Sequence, residues 1–126
     1  MRMTIVSDDN TVTINGDGRT IDCSSIAAET HAVQWYETFG EVEYVKGPDI
    51  KPRSNERIND FSTYQSFVDA HAAEVDRVNE LLAQQQYPSW TFDYETETWV
   101  PPKPKPKLSD EKTATWDEAA QKWSVS

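Results

Sequence analysis

Residues 4–23, TIVSDDNTVTINGDGRTIDC, decide the fold of the first part of the chain. Residues 4–6 and 11–14 are β-branched runs separated by the turn-forming residues 7–10. An Asn-Gly pair follows at 15–16, and it is the strongest short signal for a β-hairpin because both residues readily take a positive φ. We predict a returning strand over residues 19–23, and therefore an antiparallel sheet at the N-terminus.

Two further strands are expected over residues 32–36 and 41–45. In the second of them, Val42 and Tyr44 fall on one face, as in a sheet whose other face is exposed to solvent. Residues 46–60 contain two prolines and a glycine, which predicts a loop with a short strand around Ile58. Residues 1–60 are thus expected to form an N-terminal antiparallel β module.

A single long helix is expected within residues 61–86. Residues 62–86 contain no glycine or proline, and a helix of this length would extend about 37 Å. A stripe with alternating spacings of four and three residues runs along it: Tyr64, Val68, His71, Val75, Val78 and Leu82. The stripe packs either on the chain's own sheet or on a second copy of the chain, and the periodicity does not choose between them. Tyr64, Val68 and Val75 are its candidate contact residues.

The last forty residues, 87–126, contain an internal repeat. Phe92-Asp93 stands seven residues before Trp99, and Trp116-Asp117 stands seven before Trp123. Each copy predicts a small hairpin in which the Asp holds the turn and the returning Trp packs across from the first aromatic residue. The linker between them, 101–107, alternates Pro and Lys, and we expect it to be extended and too charged to bury. The complete chain is expected to be an α+β protein.

Composition limits the classes of function. Twelve Lys and Arg against twenty-two Asp and Glu give a net charge of −10, which disfavours nucleic acid and anionic membranes as partners. No stretch is apolar enough to span a bilayer or to serve as a signal peptide. One cysteine and two histidines, widely separated, lack the spacing of a structural zinc site, and no phosphate-binding loop is present. We therefore expect that the chain is not an enzyme and that it binds neither a metal ion nor a cofactor.

Tryptophan is the most informative residue type of the chain. Four of the five tryptophans lie in the last forty residues: Trp90, Trp99, Trp116 and Trp123. Such residues anchor protein interfaces, stack on sugar rings, or fill small cores. The four are therefore the candidate partner-binding residues of the C-terminal part.

Several stretches resemble small proteins of the tail region of tailed bacteriophages. Residues 87–93 (YPSWTFD), 99–102 (WVPP) and the 116–123 hairpin resemble C-terminal modules of cyanophage-type structural proteins and tail-fibre assembly proteins. Residues 31–36 (HAVQWY), 40–44 (GEVEY) and 61–69 (FSTYQSFVD) are similar to an N-terminal module of small phage proteins. The lysines at 103, 105 and 107 depart from this pattern, which has fewer of them.

The resemblance implies a non-enzymatic structural protein of the tail or tail-fibre apparatus. Its partner would be a tail-fibre or baseplate protein, and it would be located in the virion and, during assembly, in the host cytoplasm. An assembly chaperone that leaves before the virion is complete is an alternative. A carbohydrate-binding module, with the tryptophans as sugar platforms, is the alternative from another class.

Overall fold

The first hairpins of the chain follow from its turn residues. A computed structural model, which describes residues 1–126, has antiparallel strands β1 (Arg2–Val6), β2 (Thr11–Ile14) and β3 (Asp17–Thr20). Asn15 and Gly16 alone connect β2 to β3, with φ values of 49° and 87°. Such positive φ values suit the mirror-image turns of two-residue hairpins, so the predicted Asn-Gly hairpin is confirmed.

The third strand lies earlier in the sequence than predicted. A two-residue turn starts the returning strand at once, so Asp17 already pairs with Ile14. The predicted strand over residues 19–23 is therefore wrong at both ends. Beyond β3, the carbonyl of Asn10 accepts a hydrogen bond from the amide of Ile21 (2.8 Å), and its side-chain oxygen accepts one from the amide of Cys23 (3.0 Å). These bonds hold residues 21–23 against the sheet without a strand.

Three more strands complete a six-stranded antiparallel sheet. They are β4 (Thr30–Tyr36), β5 (Gly40–Tyr44) and β6 (Glu56–Ile58), and the strand order is β3-β2-β1-β4-β5-β6. The short strand β6 confirms the one predicted within the loop. At the start of β5, a Cβ on Gly40 would lie 2.3 Å from the carbonyl oxygen of Gln34, so only glycine fits there.

The core of this sheet is aliphatic. Met3, Ile5, Val12 and Val33, from β1, β2 and β4, are fully buried. In the sheet Ile5 stands opposite both Val12 and Val33, so the three side chains share one face. Apolar side chains at alternate positions of neighbouring strands therefore meet in one layer.

One helix follows the sheet. A short 3-10 turn over Ser62–Tyr64 leads into α1 (Gln65–Leu82). The carboxylate of Asp60 accepts hydrogen bonds from the backbone N–H of Ser62 (2.9 Å) and from its hydroxyl (2.9 Å). These bonds lower the pKa of Asp60, and they hold the turn that leads into the 3-10 segment.

The helix ends four residues before the predicted Gln86. After Leu82 the amide of Ala83 still bonds the carbonyl of Asn79 (3.0 Å), but the amide of Gln84 bonds the carbonyl of Leu81 (3.1 Å). This tighter closing bond ends the α-helical pattern without a glycine or proline.

The first turns of the helix pack on the sheet of unit 1. Phe67 and His71 are buried, and Phe67 belongs to the core cluster of the sheet. Tyr64 and Val68 are half-buried and pack against that cluster. The ring of His71 donates through Nε2 to the carbonyl of Asp17 (2.8 Å), which satisfies this buried histidine. This packing is one of the two arrangements that the periodicity allowed.

The chain separates into two compact units, Met1–Asp76 (unit 1) and Arg77–Ser126 (unit 2). The boundary lies inside α1, whereas the sequence predicts three segments, 1–60, 61–86 and 87–126. Unit 2 contains two separate two-stranded antiparallel hairpins: β7 (Thr91–Asp93) with β8 (Thr98–Val100), and β9 (Ala114–Asp117) with β10 (Lys122–Val125). One helix with antiparallel sheets makes the predicted α+β class correct.

Candidate functional site

The two hairpins of unit 2 are built on the same turn. Asp93 accepts a hydrogen bond from a backbone amide of its own turn at 2.9 Å, and Asp117 does so at 3.1 Å. Four residues connect the strands in each hairpin, and the last of them has a positive φ, 56° at Glu97 and 48° at Gln121. The structure therefore confirms that the 24-residue repeat encodes two hairpins whose turns are held by Asp.

Each hairpin also carries a pair of aromatic rings across its strands. Phe92 is opposite Trp99, and Trp116 is opposite Trp123. The ring centroids are 5.4 Å apart in both pairs, with an edge-to-face arrangement. Pairs of this kind add to the stability of a hairpin that would be marginal alone.

Trp90 joins the second pair and forms a three-tryptophan cluster of Trp90, Trp116 and Trp123. Its ring centroid lies 5.9 Å from that of Trp116 and 6.0 Å from that of Trp123. Trp116 is only 5% exposed, whereas Trp90 and Trp123 are half-buried. Trp116 is thus the centre of the core of unit 2, and the other two rings form its accessible edge.

The carboxylate of Glu118 connects the segment that contains Trp90 to the second hairpin. Glu118 accepts hydrogen bonds from the hydroxyl of Ser89, from the amide of Ser89 (3.1 Å) and from the indole Nε1 of Trp116 (3.0 Å). The bond from the Ser89 hydroxyl, followed by that from Trp116, lowers the pKa of Glu118. One ionised side chain therefore holds the residue before Trp90 and the buried Trp116 together.

The returning tryptophan of each hairpin binds a carbonyl of the segment that precedes that hairpin. The indole Nε1 of Trp123 donates to the carbonyl of Lys103 in the linker (2.9 Å), and that of Trp99 donates to the carbonyl of Leu81 in α1 (2.9 Å). The Nε1 of Trp90 is buried and has no partner. Two of these three indole N–H groups thus fasten the hairpins to the rest of unit 2.

An open groove of about 460 Å³ lies along the linker. We call it the linker groove, and its walls are Trp90, Val100, Pro101, Pro102, Pro104, Lys105 and Trp123. All of these side chains are apolar except that of Lys105, whose ammonium lies 5.9 Å from the ring centroid of Trp123. This distance is at the outer limit of a cation–π contact. The groove combines an apolar surface with one cation.

A second groove of about 480 Å³ is lined by Gln84, Gln86, Trp90 and Trp99. Two of its four walls are amide side chains, so it is more polar than the linker groove. Trp90 contributes to both grooves.

The structure brings together some of the candidate residues from the sequence and separates others. Trp90 and Trp123 line the linker groove, Trp99 lines the second groove, and Trp116 is buried. The helix candidates belong to unit 1, where Tyr64 and Val68 pack on the core and Val75 is half-buried.

Sequence reasoning missed the proline side of the linker groove. Its lysines are exposed, as predicted, but the linker is more than a spacer, because Lys103 accepts the bond from Trp123 and three prolines form a wall. The available signal was the position of a proline run within a tryptophan-rich segment, since proline-rich segments commonly dock against aromatic side chains.

The cysteine and the exposed histidine lie in ordinary structural environments. Cys23 is buried, and burial raises the pKa of its thiol. His31 is exposed and pairs with Asp8 at 2.6 Å. No group of three or more His, Cys, Asp or Glu side chains is arranged to hold a metal ion. No helix has the length and apolar character needed to cross a bilayer.

Comparison with family models, with curated proteins and with solved structures gives no match to this chain.

Proposed function

We propose that this chain is a non-enzymatic protein-binding component of a bacteriophage tail or tail-fibre apparatus, and that unit 2 binds the partner. The observation that carries the proposal is the linker groove, where two half-buried tryptophans and a proline wall present an apolar surface to solvent. Surfaces of this composition are typical of protein interfaces, in which aromatic anchors supply most of the binding free energy. The resemblance of residues 87–93, 99–102 and 116–123 to phage tail modules supports the biological context.

The walls of the groove favour a protein over a sugar. A sugar ring presents several hydroxyl groups that need hydrogen-bonding partners, and Lys105 is the only wall residue with a polar side chain. Moreover, the rings of Trp90, Trp116 and Trp123 pack against one another at interplanar angles of 57° to 80°, so they form no flat platform. The carbohydrate-binding module is therefore the weaker alternative.

A tail-fibre or baseplate protein is the proposed partner. The chain would be found in the virion, or in the host cytoplasm if it acts as a chaperone that leaves before assembly ends. Mass spectrometry of purified virions separates the two, since a retained component is present in a fixed copy number. A second copy of this chain bound through the helix remains a prediction, with Val75 as its remaining candidate because Tyr64 and Val68 already pack on the core.

The experiment that tests the proposal is co-purification. Full-length chain and residues 1–86 are each co-expressed with the candidate fibre and baseplate proteins of the same phage. The core of unit 1 lies entirely within Met1–Asp76, so the short form should keep its sheet. We expect the partner to co-purify with the full-length chain alone.

A point variant controls for the size of that deletion. Trp123→Ala removes a groove wall, whereas Tyr94→Ala removes an aromatic ring that is 68% exposed and does not line either groove. We expect partner recovery to fall for the first and to remain for the second. Equal recovery with full-length chain and with residues 1–86 would contradict the proposal.

A further inference from the structure

The linker groove lies beside the one strongly basic stretch of the chain. Residues 101–109 contain Lys103, Lys105 and Lys107 and no acidic residue. The remaining residues carry nine Lys and Arg against twenty-two Asp and Glu, a net charge of −13. Three of the twelve basic residues therefore lie in one stretch without acidic side chains, and this stretch provides four walls of the groove, including Lys105.

The position of Lys105 connects this charge to the groove. Its side chain is itself a wall, and its ammonium stands over the ring of Trp123. The residue is exposed, so the ammonium is available to a second group from solvent. A carboxylate placed there would gain a charge-assisted contact beside the apolar surface.

We propose that the linker groove binds an acidic segment of a partner protein, which places an apolar side chain against Trp90 and Trp123 and a carboxylate against Lys105. This inference rests on the proposed function and adds the chemical class of the partner. It also gives a role to Lys105, the one lysine of the linker that forms a wall of the groove.

The indole groups determine what kind of recognition is expected. The Nε1 of Trp123 already donates to the carbonyl of Lys103, and the Nε1 of Trp90 is buried. Neither offers an accessible donor to a partner, so contact through the groove depends on apolar area and on the charge of Lys105. Binding should accordingly tolerate many sequences of the right composition and should weaken with salt.

Selection from a random library tests this inference. Random twelve-residue peptides displayed on yeast are selected for binding to the fluorescently labelled full-length chain. The enriched peptides are then synthesised, and their affinities are measured by fluorescence anisotropy at low and high salt. We expect enriched sequences with Asp or Glu next to a large apolar residue.

Matched variants locate the binding site. Lys105→Glu reverses a charge in the groove wall, and Lys107→Glu makes the same change two residues away, outside the wall. Val100→Thr makes a wall residue polar with little change in shape, and Val125→Thr does the same at an exposed strand residue outside the groove. We expect affinity to fall on the order of tenfold for Lys105→Glu, to fall severalfold for Val100→Thr, and to stay within about twofold for the two controls.

The outcomes separate this inference from the proposed function. Enrichment of basic or uncharged peptides that depend on Val100 but not on Lys105 overturns the acidic class and leaves protein binding at the groove intact. Absence of any peptide that depends on Val100 or Lys105 overturns the inference. If the partner nevertheless co-purifies with full-length chain alone, the proposed function stands with a different contact surface.

Discussion

Units 1 and 2 are both built from antiparallel hairpins but are held together differently. Unit 1 continues one hydrogen-bonded ladder through six strands and buries aliphatic side chains such as Ile5 and Val33 completely. Unit 2 has two separate two-stranded hairpins, and Trp116 is its one buried apolar residue. Side-chain bonds from Trp99, Trp123 and Glu118 join the segments of unit 2 in place of a common sheet.

The two units also differ in charge. Six Lys and Arg against fourteen Asp and Glu give unit 1 a net charge of −8, and six against eight give unit 2 a net charge of −2. Mutual repulsion is thus concentrated in the unit that has the continuous sheet and the aliphatic core. A small net charge and accessible aromatic rings thus occur together in unit 2, which suits it to contact other molecules.

The largest effect is expected from removal of the Trp116 ring, which should destabilise unit 2 and leave the stability of unit 1 unchanged. Trp116→Ala should destabilise unit 2 by about 3–5 kcal/mol, because a buried aromatic side chain is deleted and its cavity lies where three rings meet. Phe67→Ala, the matched substitution in unit 1, should cost about as much there. We expect each substitution to affect its own unit.

Tryptophan distribution makes this measurable. Trp35 is the single tryptophan of unit 1, and the other four belong to unit 2. Fluorine NMR of chain labelled with 5-fluorotryptophan, followed during urea unfolding, therefore reports each unit by its own resonances. Loss of the native Trp35 signal at the same urea concentration as the others in Trp116→Ala would show that the units unfold as one and would remove the distinction.

The contrast between the units also explains what could be predicted from the sequence. The Asn15-Gly16 turn and the Asp93 and Asp117 turns depend on adjacent residues, so they are visible as short patterns. The helix stripe is visible because its period is regular, although the period does not say what the stripe packs against; in the structure its member His71 is buried. Turns in both units, and the helix, are thus predictable from local signals.

The candidate site is less predictable because it depends on contacts between distant segments. Trp90 meets Trp116 and Trp123, which lie 26 and 33 residues later, and no periodic pattern relates them. The end of α1 is similar, since the bond from Trp99 uses the carbonyl of Leu81, the residue whose carbonyl also closes the helix. The sequence near either partner contains no pattern that predicts such a bond.

A smaller effect on the stability of unit 2 is expected when the pH is lowered. The pKa of Glu118 is lowered in the folded chain by its bonds from Ser89 and Trp116, so its contribution to stability is complete above the ordinary glutamate range, about 4.3. That contribution should diminish as the pH falls below this range and vanish below the lowered pKa of the folded state. Unit 2 should therefore lose stability, in part through Glu118, as the pH falls below the ordinary glutamate range.

Glu118→Gln isolates this contribution. The amide keeps the size of the side chain but does not titrate, so the variant should be less stable than wild type at neutral pH and should approach it as the pH falls below the lowered pKa of Glu118. Glu97→Gln provides the comparison, since the pKa of Glu97 is lowered by Arg77, at 2.6 Å, away from the three-tryptophan cluster. Thermal unfolding followed by near-ultraviolet circular dichroism measures both; a constant difference between Glu118→Gln and wild type at every pH would contradict the assignment.

The smallest effect concerns single hydrogen bonds. Trp123→Phe keeps an aromatic ring against Trp116 but removes the N–H that binds the carbonyl of Lys103, and such a bond contributes about 1 kcal/mol. Trp99→Phe makes the same change in the first hairpin, where the acceptor is Leu81 in α1. We expect similar losses of stability in unit 2 from the two variants.

Their effects on mobility should differ. The carbonyl of Leu81 remains bonded to the amide of Gln84 after Trp99→Phe, so the end of the helix keeps a partner. The linker has no backbone hydrogen bond of its own between residues 101 and 107, so Trp123→Phe should release it. Nitrogen-15 relaxation then shows lower order parameters at Lys103 and Lys105 in Trp123→Phe alone. Unchanged order parameters there would mean that the prolines, and not the indole, hold the wall of the linker groove in place.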